Sequence, residues 1–177
     1  SILGNLILNF SRLLKKPPAH IPSAQHVLDD NYYKRIEAIQ FTMLHDDGMR
    51  SEDVNNADII LLGVSRTSKT PTSIYLANRG YKTLNIPLVQ NLNIPNILRE
   101  KPNGFCVIGL SVEAERLLDI RSNRLEVMKS ESIENYSDLS FIQKEIRGSK
   151  ELFKKYNWPI IDVTRRSVEE TAASVIK

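Results

Sequence analysis

The stretch Ala57-Asp58-Ile59-Ile60-Leu61-Leu62-Gly63-Val64-Ser65-Arg66-Thr67-Ser68-Lys69-Thr70 decides the fold. Residues 57–62 form a short continuous apolar run, the pattern of a strand buried on both faces. The run enters Gly63 directly, and a helix is predicted from Thr70 to Arg79, with Pro71 in its tolerated first turn and Gly80 as its cap. A tight strand-to-helix loop aims successive backbone N–H groups into one concavity, and the helix N-terminus adds partial positive charge. Residues 63–70 (Gly63, Val64, Ser65, Arg66, Thr67, Ser68, Lys69 and Thr70) are therefore read as a phosphate-binding loop. Lys69 supplies a full positive charge. Thr70 offers a hydroxyl to a phosphate or to Mg²⁺, and the Arg66 guanidinium is a further phosphate ligand. The match to G-x-x-x-x-G-K-[ST] is incomplete, because Ser68 stands where the second glycine belongs. An ordinary strand–helix turn with an incidental Lys-Thr pair is the bland alternative.

Outward from the loop the pattern keeps alternating. Strands are predicted at 83–86, 105–110 and 159–163, and helices at 112–128 and 140–156. A last helix opens with the capping box Ser167-x-x-Glu170 and has apolar positions at 168, 171, 172 and 175. Alternation of this kind implies right-handed crossovers and a mainly parallel sheet flanked by helices. The fold class is α/β, a P-loop kinase-like core over residues 51–177. The strand order expected by analogy with shikimate-kinase-like folds is second, third, first, fourth. Residues 1–50 read as a helical segment packed on this core. One helix runs over 2–16, ended by Lys15-Lys16-Pro17-Pro18. Another runs from Asp29 to Leu44, with Tyr33, Ile36, Ile39 and Met43 on one face and Gly48 as a stop beyond it.

Composition narrows the function classes. The chain has 177 residues, 41% hydrophobic and 25% charged, with a net charge of +3. That suits one soluble domain with anionic ligands, and no basic run interleaved with aromatics points to nucleic acid. No apolar stretch reaches the ~18–20 residues of a membrane span. The single cysteine, Cys106, excludes an internal disulfide, fits a reducing, cytoplasmic setting, and is expected in the core. The start at Ser1 reads as a chain that begins partway through a longer protein, without a signal peptide.

A phosphotransfer site needs a proton acceptor. His45-Asp46-Asp47-Gly48 is the best candidate, since adjacent carboxylates beside an imidazole shift each other's proton affinity. The alternative is a solvated helix end. Arg121 and Arg124 share a helix face and suit lid arginines over phosphates, or simply a basic surface. The third strand ends Gly109-Leu110-Ser111 without an acid. Asp162 on the fourth could serve Mg²⁺, or cap its strand and pair with Arg165. His26 beside Asp29 and Asp30 could meet a protein partner, although capping suits the aspartates better. Arg147 and His20 carry no constellation, Trp158 reads as core, and no Cys/His spacing suggests zinc.

Several stretches together resemble the pyruvate, phosphate dikinase / phosphoenolpyruvate synthase regulatory proteins. These are residues 63–80 with 82–89, Gln25–Arg35 running on to His45-Asp46-Asp47-Gly48, Ile120-Arg121-x-x-Arg124-Leu125, and Ile161–Ala173. The resemblance covers nearly the whole chain and lacks only the family's N-terminal region. It implies a bifunctional enzyme with pyruvate, phosphate dikinase or phosphoenolpyruvate synthase as its protein substrate. One reaction phosphorylates a target threonine with ADP and inactivates the dikinase. The other removes that phosphate with inorganic phosphate as acceptor, releasing pyrophosphate. Lys69, His45, Asp46 and Asp47 would be catalytic, and ADP and phosphate would sit at residues 63–70 with Arg121 and Arg124. Mg²⁺ would sit at Thr70. An ATP-dependent small-molecule kinase and a non-catalytic nucleotide-sensing module are the competing readings. Oligomeric state, a homodimer included, stays open.

Overall fold

A computed structural model describes residues 2–18, 29–49, 51–88, 94–128 and 136–177. His20 and His26 lie outside the described residues.

Strand β1 (Ile59–Val64) is buried along its whole length and forms the centre of a four-stranded parallel sheet. Its neighbours are β2 (Thr83–Leu88), paired from Ile59↔Thr83 to Val64↔Leu88, and β3 (Val107–Ser111), paired from Ile60↔Val107 to Leu62↔Gly109. The short β4 (Ile160–Asp162) closes the other edge against β3. The order is β2-β1-β3-β4, which corrects the order expected by analogy. Three apolar runs of similar length carry no mark of which lies beside which. The pairing comes from the crossovers, and the first of these places β2 directly against β1.

Alternate side chains of β1 serve two cores. Ile59 and Leu61 pack with Leu76, Leu117, Ile142 and Ala172, while Ile60 and Leu62 pack with Leu84, Ile86, Leu98, Phe153 and Trp158. The first core is covered by α3 (Lys69–Ala77), α5 (Ala114–Met128), α6 (Leu139–Lys155) and α7 (Val168–Ile176). The short α4 (Asn96–Glu100), which periodicity does not reveal, contributes Leu98 to the second. The capping box at Ser167 and Glu170 forms as read. Cys106 is exposed, just before β3 begins, and does not belong to the core. Trp158 is buried, with Nε1 donating to the Pro102 carbonyl at 2.9 Å. A Cβ at Gly109 would lie 2.5 Å from the Phe153 ring, so glycine is what lets that ring close on the sheet.

The N-terminal helices α1 (Ile2–Leu14) and α2 (Asp30–Leu44) behave differently. The sequence reading packs the whole of residues 1–50 on the core. In the structure α1 leaves Leu3, Leu6, Phe10, Leu13 and Leu14 exposed, while α2 lies against α3 and β2. The buried face of α2 is not its apolar stripe. Ala38 and Thr42 are buried, whereas Tyr33, Ile36 and Met43 are exposed. Phe41, on the same side of α2, packs against the core beside them.

This docking gives β2 its missing edge partners. As an edge strand it presents unpaired N–H groups. Thr83 N donates to Thr42 Oγ1 at 3.0 Å, and Asn85 N donates to the His45 carbonyl at 3.4 Å. Residues 45–48, including a 3₁₀ turn at Asp46–Gly48, are thereby laid along the strand toward the end where the loop opens.

Candidate phosphotransfer site

The loop after β1 is shaped by residues on both sides of it. A Cβ on Gly63 would lie 2.7 Å from Thr67 Oγ1 and 2.8 Å from the Leu110 carbonyl, so only glycine admits the loop so close to β3. Thr67 is fully buried and its hydroxyl donates to the Val64 carbonyl at 3.0 Å. Arg66 (φ 74) and Ser68 (φ 56) adopt left-handed backbone conformations. Alternation of this kind turns backbone N–H groups inward as an anion nest. Ser68 takes the conformation that the glycine of the motif would take without strain. It is also the cap of α3.

Lys69 is 5% exposed, and its Nζ donates to the Val64 carbonyl at 2.9 Å. Burial lowers its pKa from 10.5 to about 8. Asp47 and Asp46 oppose that shift, while Arg66 and Arg121 add to it. The ammonium is thus poised near neutrality, and anionic oxygen nearby favours its charged form.

The Asp46–Gly48 turn meets the loop. Thr70 Oγ1 donates to Asp46 Oδ1 at 3.1 Å, and Asn85 Nδ2 donates both to Asp46 Oδ1 and, at 3.1 Å, to Thr70 Oγ1. Asn85 is fully buried on β2 and its Oδ1 has no hydrogen-bond partner. Asp47, exposed and left-handed (φ 51), lines a cavity of about 320 Å³ with Ser65, Arg66, Ser68, Lys69, Thr70, Pro71, Pro87 and Ile120. Loop and turn therefore face one space.

The remaining expected residues fall elsewhere. His45 is buried against the Phe41 ring, centroids 3.9 Å apart. Its Nδ1 lies 2.6 Å from the Phe41 carbonyl and its Nε2 3.0 Å from Asp53 Oδ2. It holds the turn in place and does not line the cavity. Arg121 is 1% exposed and forms an ion pair with Glu145 at 2.8 Å. Its guanidinium donates to the carbonyls of Tyr136 (3.1 Å) and Ser65 (3.4 Å) and lies over the Tyr136 ring. Tyr136 Oη in turn accepts from Arg66 Nε at 3.4 Å. Arg121 braces the loop from behind and is not a lid. Arg124 is exposed further along α5. Asp162 accepts from the Thr164 N–H (2.8 Å) and hydroxyl (2.6 Å), which hold its carboxyl below the usual range. It is a turn residue at the sheet edge.

Asn85, Tyr136, Glu145 and Asp53 were not singled out from sequence. Only Asn85 carries a signal there, as an amide between Leu84 and Ile86 in a strand that is otherwise buried. Among the described residues no group of three or more His, Cys, Asp or Glu could hold a metal, and no helix is long and apolar enough to cross a membrane.

The chain is 63% identical over 177 residues to a Pelagibacter ubique (strain HTCC1062) protein named "Putative pyruvate, phosphate dikinase regulatory protein", covering all of this chain and 65% of that relative. Proteins of the same name from Bartonella bacilliformis and Rhizobium meliloti are 50% and 48% identical, with 100% and 99% of this chain and 63% and 64% of theirs covered. The chain thus spans a little under two thirds of the length of these relatives. The family model described as kinase/pyrophosphorylase matches residues 1–176. Strand, loop, turn and family match coincide along the same residues, and the chain belongs to the kinase/pyrophosphorylase family.

Proposed function

We propose that this chain carries the phosphotransfer centre of a regulator of pyruvate, phosphate dikinase or phosphoenolpyruvate synthase. In one direction it moves the β-phosphoryl of ADP to a threonine hydroxyl of the dikinase. In the other it transfers that phosphoryl to inorganic phosphate. The observation that carries this reading is the shared cavity: Asp47, from the turn after α2, lines the same space as Lys69 and Thr70 of the loop. The family description, which joins a kinase to a pyrophosphorylase, supports the same pair of reactions.

In the forward step, the threonine oxygen forms a bond to phosphorus as the bridging P–O bond of ADP breaks, leaving AMP with the electron pair. The threonine proton passes to a carboxylate, for which Asp47 is the accessible candidate. In the reverse step, a phosphate oxygen attacks the phosphothreonine, pyrophosphate forms, and the protonated carboxyl returns its proton to the leaving oxygen. Both steps ask the protein mainly for positioning and charge neutralisation. Loop N–H groups, Lys69 and Arg66 suit that role, with Arg121 holding the loop in shape. Thr70 Oγ1 and Asp46 Oδ1, 3.1 Å apart beside the loop, are the oxygens that would hold Mg²⁺. A cation held there would neutralise phosphate charge.

The test is transfer from β-labelled ADP to a threonine of the dikinase, with the longer Pelagibacter ubique relative assayed alongside, followed by label release as pyrophosphate on adding phosphate. Transfer from ATP alone, to a small metabolite, would refute the reading in favour of a small-molecule kinase. Binding of ADP without transfer in either direction would favour a nucleotide-sensing module.

A further inference from the structure

Asp47 and Pro87 stand between two cavities. On one side is the space lined by the loop. On the other is a second cavity of about 410 Å³, lined by Asp47, Gly48, Ile86, Pro87, Ile94, Pro95 and Asn96. The two differ in charge. The loop cavity carries Arg66 and Lys69, whereas among the described residues Asp47 is the only charged group lining the second. An anionic nucleotide is repelled from the second space, and a neutral hydroxyl with apolar neighbours is not.

We propose that the second cavity receives the acceptor segment of the protein substrate, a stretch of chain whose threonine or serine side chain reaches past Asp47 toward the loop. The inference rests on the phosphotransfer reading above and adds the acceptor's place to it. Direction supports it. Loop backbone and helix N-terminus enclose a bound phosphoryl from one side, so an in-line nucleophile enters from another, and Asp47 lines both spaces. An acceptor hydroxyl there gives its proton to Asp47 as its oxygen bonds to phosphorus and the donor's bridging P–O bond breaks.

Recognition in this cavity runs through side chains. An incoming segment cannot extend the sheet beside β2 at this end, because Pro87 has no N–H and Asn85 N already donates to the His45 carbonyl. Ile86 and Ile94 are 3% and 5% exposed and form a fixed apolar floor, while Asn96 is exposed at the rim. The volume suits one or two side chains and excludes a folded surface, so the acceptor residue must lie on a protruding or extended segment.

The experiment fills the cavity from its rim with Asn96→Trp. Wild type and variant are compared for ADP affinity by calorimetry, for phosphoryl transfer, and for KM toward the dikinase. The expected result is a KM for the dikinase raised roughly tenfold or more, with ADP affinity unchanged. A second measurement does not depend on the variant: a threonine-bearing acceptor peptide from the dikinase slows amide hydrogen exchange at Ile94 and Asn96. An unchanged KM in a folded variant, or no protection at those positions, overturns the acceptor assignment while transfer by the wild type upholds the phosphotransfer reading. Absence of transfer from ADP by the wild type defeats that reading, and this inference with it.

Discussion

Thr70 donates its hydroxyl hydrogen to Asp46 across 24 residues of sequence, at 3.1 Å, and Asn85 of the edge strand donates to both. A carboxylate thus reaches the loop from the N-terminal segment, whereas β3 ends in Ser111.

Asp46→Asn keeps the shape of the contact and removes its charge. Phosphoryl transfer from ADP should fall by about 10²–10³-fold in initial-rate assays, with the circular dichroism spectrum unchanged. Asn85→Leu leaves Asp46 held by Thr70 alone and should lower the rate by about tenfold, through kcat more than through KM. Wild-type rates in both variants would remove Asp46 from the reaction.

Lys69 gives the site a pH edge. Below about pH 8 its ammonium is charged and attracts anions. In calorimetric titrations, phosphate affinity should drop as pH rises through that value, by roughly tenfold one unit above it. Asp47 raises the Lys69 pKa, so Asp47→Asn should move the edge to lower pH.

The same burial has a stability consequence of opposite sense. Between about pH 8 and 10.5 the unfolded chain holds a proton on Lys69 that the folded chain has released, so folding stability from this group rises with pH across that window. Below pH 8 the buried charge costs about 3 kcal/mol. Lys69→Met removes that cost and loses one hydrogen bond to Val64, worth about 1 kcal/mol. The variant should unfold at equal or higher denaturant concentration at pH 7, while losing phosphate binding.

Ser68 sits at φ 56 without the freedom of glycine. Ser68→Gly should stabilise the protein by about 1 kcal/mol in urea titrations and keep ADP affinity, because the N–H groups stay where they are. A loss of affinity would mean that the serine hydroxyl itself binds the ligand.

Arg121 and Glu145 form a buried pair behind the loop. Arg121→Ala leaves Glu145 without its counter-charge and should destabilise the fold by about 3–5 kcal/mol. Glu145→Gln is milder. It should raise the Kd for ADP through Ser65 and Arg66, which calorimetry would register well below the unfolding transition.

What could be read before the structure follows from which interactions are local. The run from Ala57 to Leu62, Gly63 and the Lys69-Thr70 pair are contiguous, so their strand–loop–helix arrangement is legible, and the Ser167–Glu170 box likewise. Asn85, Tyr136 and Glu145 matter only because β2 lies beside β1 and α6 lies behind the loop, and no spacing encodes that. Apolar spacing marks a face of α2 with Tyr33, Ile36 and Met43, and the structure leaves these three exposed. Here the space beside α3 and β2 takes Ala38 and Thr42 instead. His45 illustrates the same limit. Its neighbours in sequence suggest acid–base chemistry, yet its partners in space are Phe41 and Asp53.

The bond from Lys69 Nζ to the Val64 carbonyl makes ligand capture an exchange. An arriving anion competes with the loop's own backbone for the ammonium, and gains only the difference between two acceptors. A neutral carbonyl is a weak rival for a dense phosphate oxygen and a strong one for a diffuse or singly charged anion. The loop thereby sets a threshold of charge density for any anion that displaces the carbonyl from the ammonium.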